Sequence, residues 1–126
     1  MFCIEKTTAR FKLKLAIEKM GKDLNVSLHG GDAAHIGAVA LAVPHAGLRE
    51  SDKTDVSVSV LAVTGHKEDE LARKFAYTLA SAFRCIVSVS CGIHLENATK
   101  QEIVEVLKIA DLLLDQALQE LAQLYG

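Results

Sequence analysis

The chain has 126 residues, half of them hydrophobic, with one proline and a formal net charge of −2. This length suits a single domain over residues 1–126, and the lack of a basic block argues against nucleic acid or an acidic membrane surface as a partner. The longest apolar run, Ile36 to Val43, is too short to span a bilayer. The N-terminus does not resemble a secretion signal, and three cysteines without metal-like pairing favour a reducing compartment, so we expect a cytoplasmic protein.

Alternating apolar and polar residues predict four strands in the first half of the chain, over residues 10–18, 24–29, 36–43 and 55–63. The third is apolar on both faces, and one of these faces is a stripe of Ala38, Ala40 and Ala42. Such a stripe allows a helix or a neighbouring subunit to approach closely. Residues 44–54 are predicted to form a polar loop.

The apolar period then changes to that of a helix over residues 67–83, followed by a fifth strand over 85–91 and a long final helix. Thr99 and Glu102 have the spacing of a capping box at the start of that helix. Its apolar residues form a heptad-like seam, and Val106, Ile109 and Leu113 widen the apolar surface beyond this seam. The wide apolar surface predicts that the helix contacts another subunit as well as its own sheet. The seam consists of Ile103, Leu107, Ala110, Leu114, Ala117, Leu121 and Leu124.

The element order β-β-β-β-α-β-α predicts an α+β fold. We expect a five-stranded mixed sheet, made of an antiparallel four-strand meander plus one parallel strand, with two helices on one face. In this arrangement the second, fourth and fifth strands end at the same edge of the sheet. Three clusters rich in glycine and histidine follow these strands, at residues 30–37, 64–66 and 91–97. Topology alone therefore predicts that they converge on one site.

The chemistry of the clusters leaves several interpretations open. The Gly30 and Gly31 amides suit an anion, although a loose hairpin in which Asp32 bonds its own backbone explains the same residues. Gly65 and His66, before a helix, suit a phosphate, but the acidic first turn of that helix weighs against it. A capped helix with a solvated histidine is the simpler interpretation.

The histidines His29, His35, His66 and His94 suit a metal ion, but they lack the spacing typical of zinc sites. Histidines beside turns are more often solvated or hydrogen-bonded, and His45, in the predicted loop, is expected to be solvated. Cys91 near His94 suits a nucleophile–base pair, but a buried thiol is the more common case. No catalytic or metal-binding residue is predicted with a specific motif.

Taken together, Gly30-Gly31-Asp32-Ala33-Ala34-His35-Ile36-Gly37, then Gly65-His66-Lys67-Glu68, then the segment from Cys91 to Thr99 resemble the family of the LpdD subunit of gallate decarboxylase. These proteins accompany UbiD-type decarboxylases and are described as prenylated-flavin chaperone-like. The resemblance covers most of the chain from Leu24 onwards. The strand order also resembles the proteasome-assembly-chaperone fold.

The resemblance implies a non-catalytic helper that binds or delivers prenylated FMN or FMN, or that stabilises the decarboxylase using it. The alanine stripe and the wide apolar surface of the final helix, and not the resemblance, predict a homodimer or a larger homo-oligomer. The glycine amides would meet the phosphate, and imidazoles would donate to the phosphate or the flavin carbonyls. None of the four phenylalanines and two tyrosines lies in the clusters to stack on a flavin. The alternative is a small enzyme with a histidine-rich, metal-dependent site. The candidate cofactor-binding residues are Gly30, Gly31, Asp32, His35, Gly37, Gly65, His66, Gly92, His94 and Asn97.

Overall fold

The computed structural model describes residues 2–46, 54–63 and 68–125. The helices and strands in chain order are β1 (Phe2–Thr7), β2 (Lys12–Met20), β3 (Asp23–Gly31), β4 (Ala33–Ala46), β5 (Thr54–Ala62), α1 (Asp69–Phe83), β6 (Val87–His94) and α2 (Lys100–Tyr125). The predicted mixed sheet and the two helices are confirmed. Most of the polar loop predicted after the third strand, residues 47–53, lies outside the described residues.

The sheet has six strands and not the predicted five. The additional strand is β1, which pairs antiparallel with β2 and places Ile4 opposite Leu15. Ile4 is the one fully buried side chain of β1. A strand with one buried residue has almost no alternating pattern, so its formation depends on pairing with β2.

The predicted four-strand meander is wrong, because the sheet order is β1-β2-β3-β6-β4-β5. Strand β6 lies between β3 and β4, parallel to β3 and antiparallel to β4. Asp32 is the only residue between β3 and β4, so the chain arches over the end of β6. His94 is paired with Gly31 on one side and with Ala33 on the other. The backbone N–H of Asp32 donates to the His94 carbonyl oxygen over 2.6 Å.

The core lies between one face of the sheet and both helices. Each strand register aligns the buried residues on the same face, as in the row of Leu15, Leu28, Cys91 and Ala38. Helix α1 packs on β4, β5 and β6, while α2 packs on β1 and β2. The alanine stripe of β4 is fully buried on this face, where small side chains allow α1 to approach closely.

The final helix begins with the predicted capping box. The Thr99 N–H donates to Glu102 Oε1 over 2.9 Å, and the Glu102 N–H donates to Thr99 Oγ1 over 3.1 Å. The middle of the predicted seam packs against the core, while the contact of the helix with another subunit stays a prediction. Ile103, Leu107 and Leu124 are exposed in this chain. The buried residues of the helix are Val106, Ala110, Leu113, Leu114, Ala117 and Leu121.

Candidate functional site

A β-bulge in β4 organises the predicted end of the sheet. Ala34 pairs with Ile93 and Ala38 with Cys91, so three residues of β4 face Gly92 alone. Gly92 has no room for a side chain, because a Cβ there would overlap the carbonyl oxygen of His35. A bulge re-aims side chains and interrupts the ladder. Here it brings His35 into a site, whereas the sequence predicts a loop at residues 30–35.

The carboxylate of Glu68 occupies the bulge. Its Oε1 lies 3.1 Å from His35 Nε2 and accepts a hydrogen bond of 3.3 Å from the N–H of Ile93. A Cβ on Gly37 would lie 2.6 Å from Glu68 Oε2. The Glu68 side chain is 9% exposed, and His35 is 25% exposed. A nearly buried carboxylate therefore satisfies a strand N–H and pairs with an imidazole.

Sequence reasoning missed the role of Glu68. It predicts Glu68 in the first turn of a helix, among three consecutive acids that interact with the helix dipole. In the structure α1 begins at Asp69, and Glu68 precedes it without making a side-chain capping bond. Glu68 is buried, whereas Glu70 is exposed. The residue type is the same at both positions, so nothing in the local sequence distinguishes them.

A second imidazole–carboxylate pair lies beside the first. His94 Nε2 is 2.9 Å from Glu96 Oε2, and both side chains are more exposed than those of the first pair. The rings of His35 and His94 have centroids 6.3 Å apart and meet edge to face. The structure thus places two histidines from distant parts of the sequence at one end of the sheet. Two imidazoles placed side by side can form hydrogen bonds with the polar atoms of one ligand.

An ion-pair network ties the neighbouring loops together. Arg10 binds both oxygens of Asp32, over 2.6 and 2.9 Å, and its Nε lies 3.0 Å from Glu102. Asp32 also accepts the N–H of Glu96 over 2.8 Å. The Arg10 guanidinium and this N–H hold the pKa of the Asp32 carboxyl well below its usual range. Asp32 thus joins the β3–β4 arch to the turns before β2 and α2, rather than bonding its own backbone.

The family model for the prenylated flavin chaperone LpdD-like domain matches residues 7–122. The chain belongs to this family. No curated protein sequence matches the chain. A solved structure entitled "Crystal Structure of a Novel Chaperone Complex for Yeast 20S Proteasome Assembly" is similar, with a TM-score of 0.58. It shares 16% identity over 99% of this chain and 98% of that chain, which confirms the predicted likeness of fold and shows no more than that.

The glycine pair of the family motif is part of the sheet. Gly30 and Gly31 have positive φ angles of 155° and 82°. A side chain on Gly30 would overlap the Lys12 carbonyl oxygen, and one on Gly31 would overlap that of His94. Both residues end β3 and are paired to β6. Close backbone approach over the end of β6 explains these glycines, and they do not form an open loop.

The remaining candidates divide between the turn before α2 and the undescribed segment. Asn97 lies in that turn with a φ of 52°, a left-handed conformation that asparagine tolerates better than most residues. Gly65 and His66 lie outside the described residues.

Cys91 is fully buried, and burial, with a smaller contribution from the Glu68 charge, raises the pKa of its thiol to about 12. This thiol is poorly suited to act as a nucleophile.

The described part of the chain has no metal-binding cluster of side chains and no membrane-spanning helix. No group of three or more histidine, cysteine, aspartate or glutamate side chains within residues 2–46, 54–63 and 68–125 is arranged to hold a metal ion. His45 is exposed at the far end of β4 and lies 2.9 Å from Ser57 Oγ. Neither α1 nor α2, the helices of the described part, is long and apolar enough to cross a membrane.

Proposed function

We propose that this chain is a non-catalytic accessory protein of a UbiD-type, prenylated-FMN-dependent aromatic acid decarboxylase, for example as a subunit of a gallate decarboxylase. In this role it binds or delivers the cofactor, or stabilises the decarboxylase that uses it. The observation that carries the proposal is the family match, since it extends over residues 7–122 and includes the bulge, the arch and both histidine pairs. We further propose that it acts in the cytoplasm as a homo-oligomer.

The described residues fit one part of the cofactor better than the other. The imidazoles of His35 and His94 suit the polar edge of a flavin ring, because an imidazole can both accept and donate hydrogen bonds. The phosphate lacks a comparable cradle here, since Gly30 and Gly31 are paired within the sheet. Asp32, Glu68 and Glu96 make this end of the sheet acidic. We therefore propose His35 and His94 as the groups that face the flavin ring.

The proposal assigns the chemistry of decarboxylation to the cofactor in the partner enzyme and none of it to this chain. The residues of this chain position a ligand. Glu68 holds the His35 ring through a contact of 3.1 Å, and Glu96 holds the His94 ring through one of 2.9 Å.

Co-expression with the decarboxylase tests this function. The double variant His35→Ala and His94→Ala should lower the cofactor content and activity of the purified decarboxylase to the level found without the accessory protein. Lys74→Ala is the control, because Lys74 lies on α1 outside both histidine pairs and contacts Asp111 over 2.6 Å at the surface; this variant should behave as the wild type. Circular dichroism must show that all variants are folded. Equal cofactor content with the wild type, with the double variant and with no accessory protein would refute the proposal.

A further inference from the structure

We propose that the uncovered face of the sheet is the interface between two copies of this chain. This face, called the outer face below, is opposite the helices, and within the described residues no element covers it. On β4 it carries Val39, Leu41 and Val43, which are 36%, 44% and 36% exposed. The opposite side of the same strand is fully buried alanine. Strands that are apolar on both faces are typical of sheets covered on both sides.

The shape of the outer face allows the faces of two copies to pack against each other. The β4 side chains form a ridge of large apolar groups. In the sheet register, Leu41 lies between Ser59 of β5 and Ser88 of β6, and Val39 lies next to Ser90. Rows of small serines therefore flank the ridge as shallow grooves. Two copies related by a two-fold axis can place the ridge of each against a serine row of the other, as an isologous interface requires.

The polar groups of the outer face can be covered at low cost. Ser88 donates to Asn25 over 2.7 Å, and Ser57 lies 2.9 Å from a ring nitrogen of His45. Because these side chains find partners within one copy, covering them does not leave their hydrogen-bonding groups unsatisfied. Along β3 from Asn25 onwards, β6 and β4, the described outer-face residues include no lysine, arginine, aspartate or glutamate. Asp23, the first residue of β3, is on this face at the end of the strand, where it accepts the N–H of Ile86 over 2.9 Å. Charge depletion at the centre and charges at the edge are typical of protein interfaces.

The area of the face matches what a stable dimer needs. Six strands spaced about 4.8 Å apart, each contributing about seven residues of about 3.3 Å, give a face of roughly 650 Å² per copy. The two copies would then bury roughly 1,300 Å² in total, within the range of specific interfaces. Stacked sheets pack about 10 Å apart, a distance that valine, leucine and serine side chains fill.

Helix α2 offers the competing surface. Sequence reasoning predicts a subunit contact from the wide apolar surface of this helix between Ile103 and Leu124, and Ile103 and Leu107 are exposed parts of that surface. The same end of the helix carries a shallow cleft lined by Lys100, Glu105 and Lys108. Covering these three charges would require partners for all of them. The outer face carries charges on β1 and β2, where Lys12 Nζ lies 4.0 Å from Glu5 Oε2 within one copy. Its centre on β6 and β4 carries none, so we assign the interface to the sheet.

Sedimentation velocity on the full chain, at low and high micromolar concentration, tests the assignment. We expect a wild-type dimer. Leu41→Lys should weaken dimerisation by at least about 100-fold, because it buries an unpaired charge at the two-fold contact. Leu107→Lys is the matched control, since Leu107 is 47% exposed against 44% for Leu41; this variant should remain dimeric. Ser59→Lys removes no apolar contact but fills the groove, so it should also give monomers and serves if Leu41→Lys fails to fold.

A positive test uses cross-linking. With Cys3 changed to serine, an equimolar mixture of Leu41→Cys and Ser59→Cys should form a disulfide-linked dimer on mild oxidation, and a mixture of Leu107→Cys and Ser59→Cys should not. A monomeric wild type, or dissociation by Leu107→Lys while Leu41→Lys and Ser59→Lys remain dimeric, would overturn the proposal. This inference deepens the homo-oligomer proposed above. The two proposals can fail separately. If the protein dimerises through the outer face but does not raise the cofactor content or activity of the decarboxylase, the interface proposal holds and the proposed function fails.

Discussion

Replacing Gly37 by alanine tests how firmly the bulge holds the Glu68 carboxylate. Gly37 is not among the glycines with positive φ, so alanine is compatible with its backbone. Where the backbone allows it, such a change stabilises a protein by about 0.4–1 kcal/mol, because the unfolded chain loses conformational freedom. Here the new Cβ would lie 2.6 Å from Glu68 Oε2 and 2.7 Å from its Cδ. The carboxylate must therefore move away.

The displacement weakens the two contacts of Glu68 Oε1 with His35 and the Ile93 N–H. Hydrogen bonds to charged groups contribute about 1.5–3 kcal/mol to stability. After the entropic gain is subtracted, Gly37→Ala should lower the free energy of unfolding by about 1–2 kcal/mol. For a domain of this size the melting temperature should fall by roughly 3–10 °C. In a Glu68→Ala background the obstacle is gone, so the same change should raise stability by about 0.4–1 kcal/mol.

Urea unfolding followed by circular dichroism measures all four members of this double-mutant cycle. We expect the effect of Gly37→Ala to change sign between the two backgrounds, with a coupling energy of about 2–3 kcal/mol. Gly21→Ala is the control, because Gly21 has a φ of 64° and open space around it. It should cost about 1–2 kcal/mol in both backgrounds, from backbone strain alone. An equal loss from Gly37→Ala with and without Glu68 would refute the described packing.

Gly92→Ala should prevent folding or cost at least about 3 kcal/mol, because its Cβ overlaps a backbone carbonyl that cannot rotate away; thermal melting checks this. Asp32→Asn should lower the melting temperature at neutral pH, and by progressively less as the pH falls from about 4. Arg10 and a backbone N–H depress the pKa of Asp32, so its contribution is complete above the unfolded value of about 3.9 and is lost as the pH falls through the depressed pKa of the folded protein. A thiol reagent at mildly alkaline pH should modify Cys3 in the native protein and spare Cys91; rapid labelling of both would contradict the buried position of Cys91.

The sequence predicts most of the helices and strands because their burial is regular. Apolar residues alternate with polar ones in β2 and recur every fourth residue in α1. In the structure each of these patterns forms one buried face. β1 escapes detection because pairing with β2 stabilises it, while only Ile4 is fully buried. The extent of β4 is underestimated for a related reason. Its first residues form the bulge, where alternation cannot hold.

The neighbours of each strand are harder to predict than the strands. Two strands joined by a short connection normally pair with each other, and this rule fails for β3 and β4. Their connection consists of Asp32 alone, yet β6 lies between them. The signal for this arrangement is the Gly30-Gly31 pair, whose positive φ angles allow the chain to arch over His94. The same glycines are equally typical of an anion-binding loop, so the sequence alone does not decide between the two.

The candidate site was predicted in position but not in composition. Strand direction brings residues 30–35 and 92–97 to one end of the sheet, and the structure places His35 and His94 there. Glu68 was not predicted, because its burial depends on the bulge and on the position where α1 starts. Asp32 was predicted as a cofactor-binding residue. In the structure its carboxylate accepts hydrogen bonds from the Arg10 guanidinium and from the N–H of Glu96. Whether any of these residues binds a cofactor stays a prediction.

All parts of the site meet at the last residues of β6. Gly92 lies opposite the bulge, and the Ile93 N–H donates a hydrogen bond to Glu68. The His94 carbonyl oxygen accepts a hydrogen bond from the N–H of Asp32 in the arch. Strands β3 and β4 are consecutive in sequence, but the strand that joins them comes much later in the chain. The site therefore cannot exist before this long-range pairing has formed, and any substitution that loosens β6 should open both histidine pairs together. A ligand that bridges His35 and His94 would in turn hold β3, β6 and β4 in register, so binding should stabilise the whole sheet.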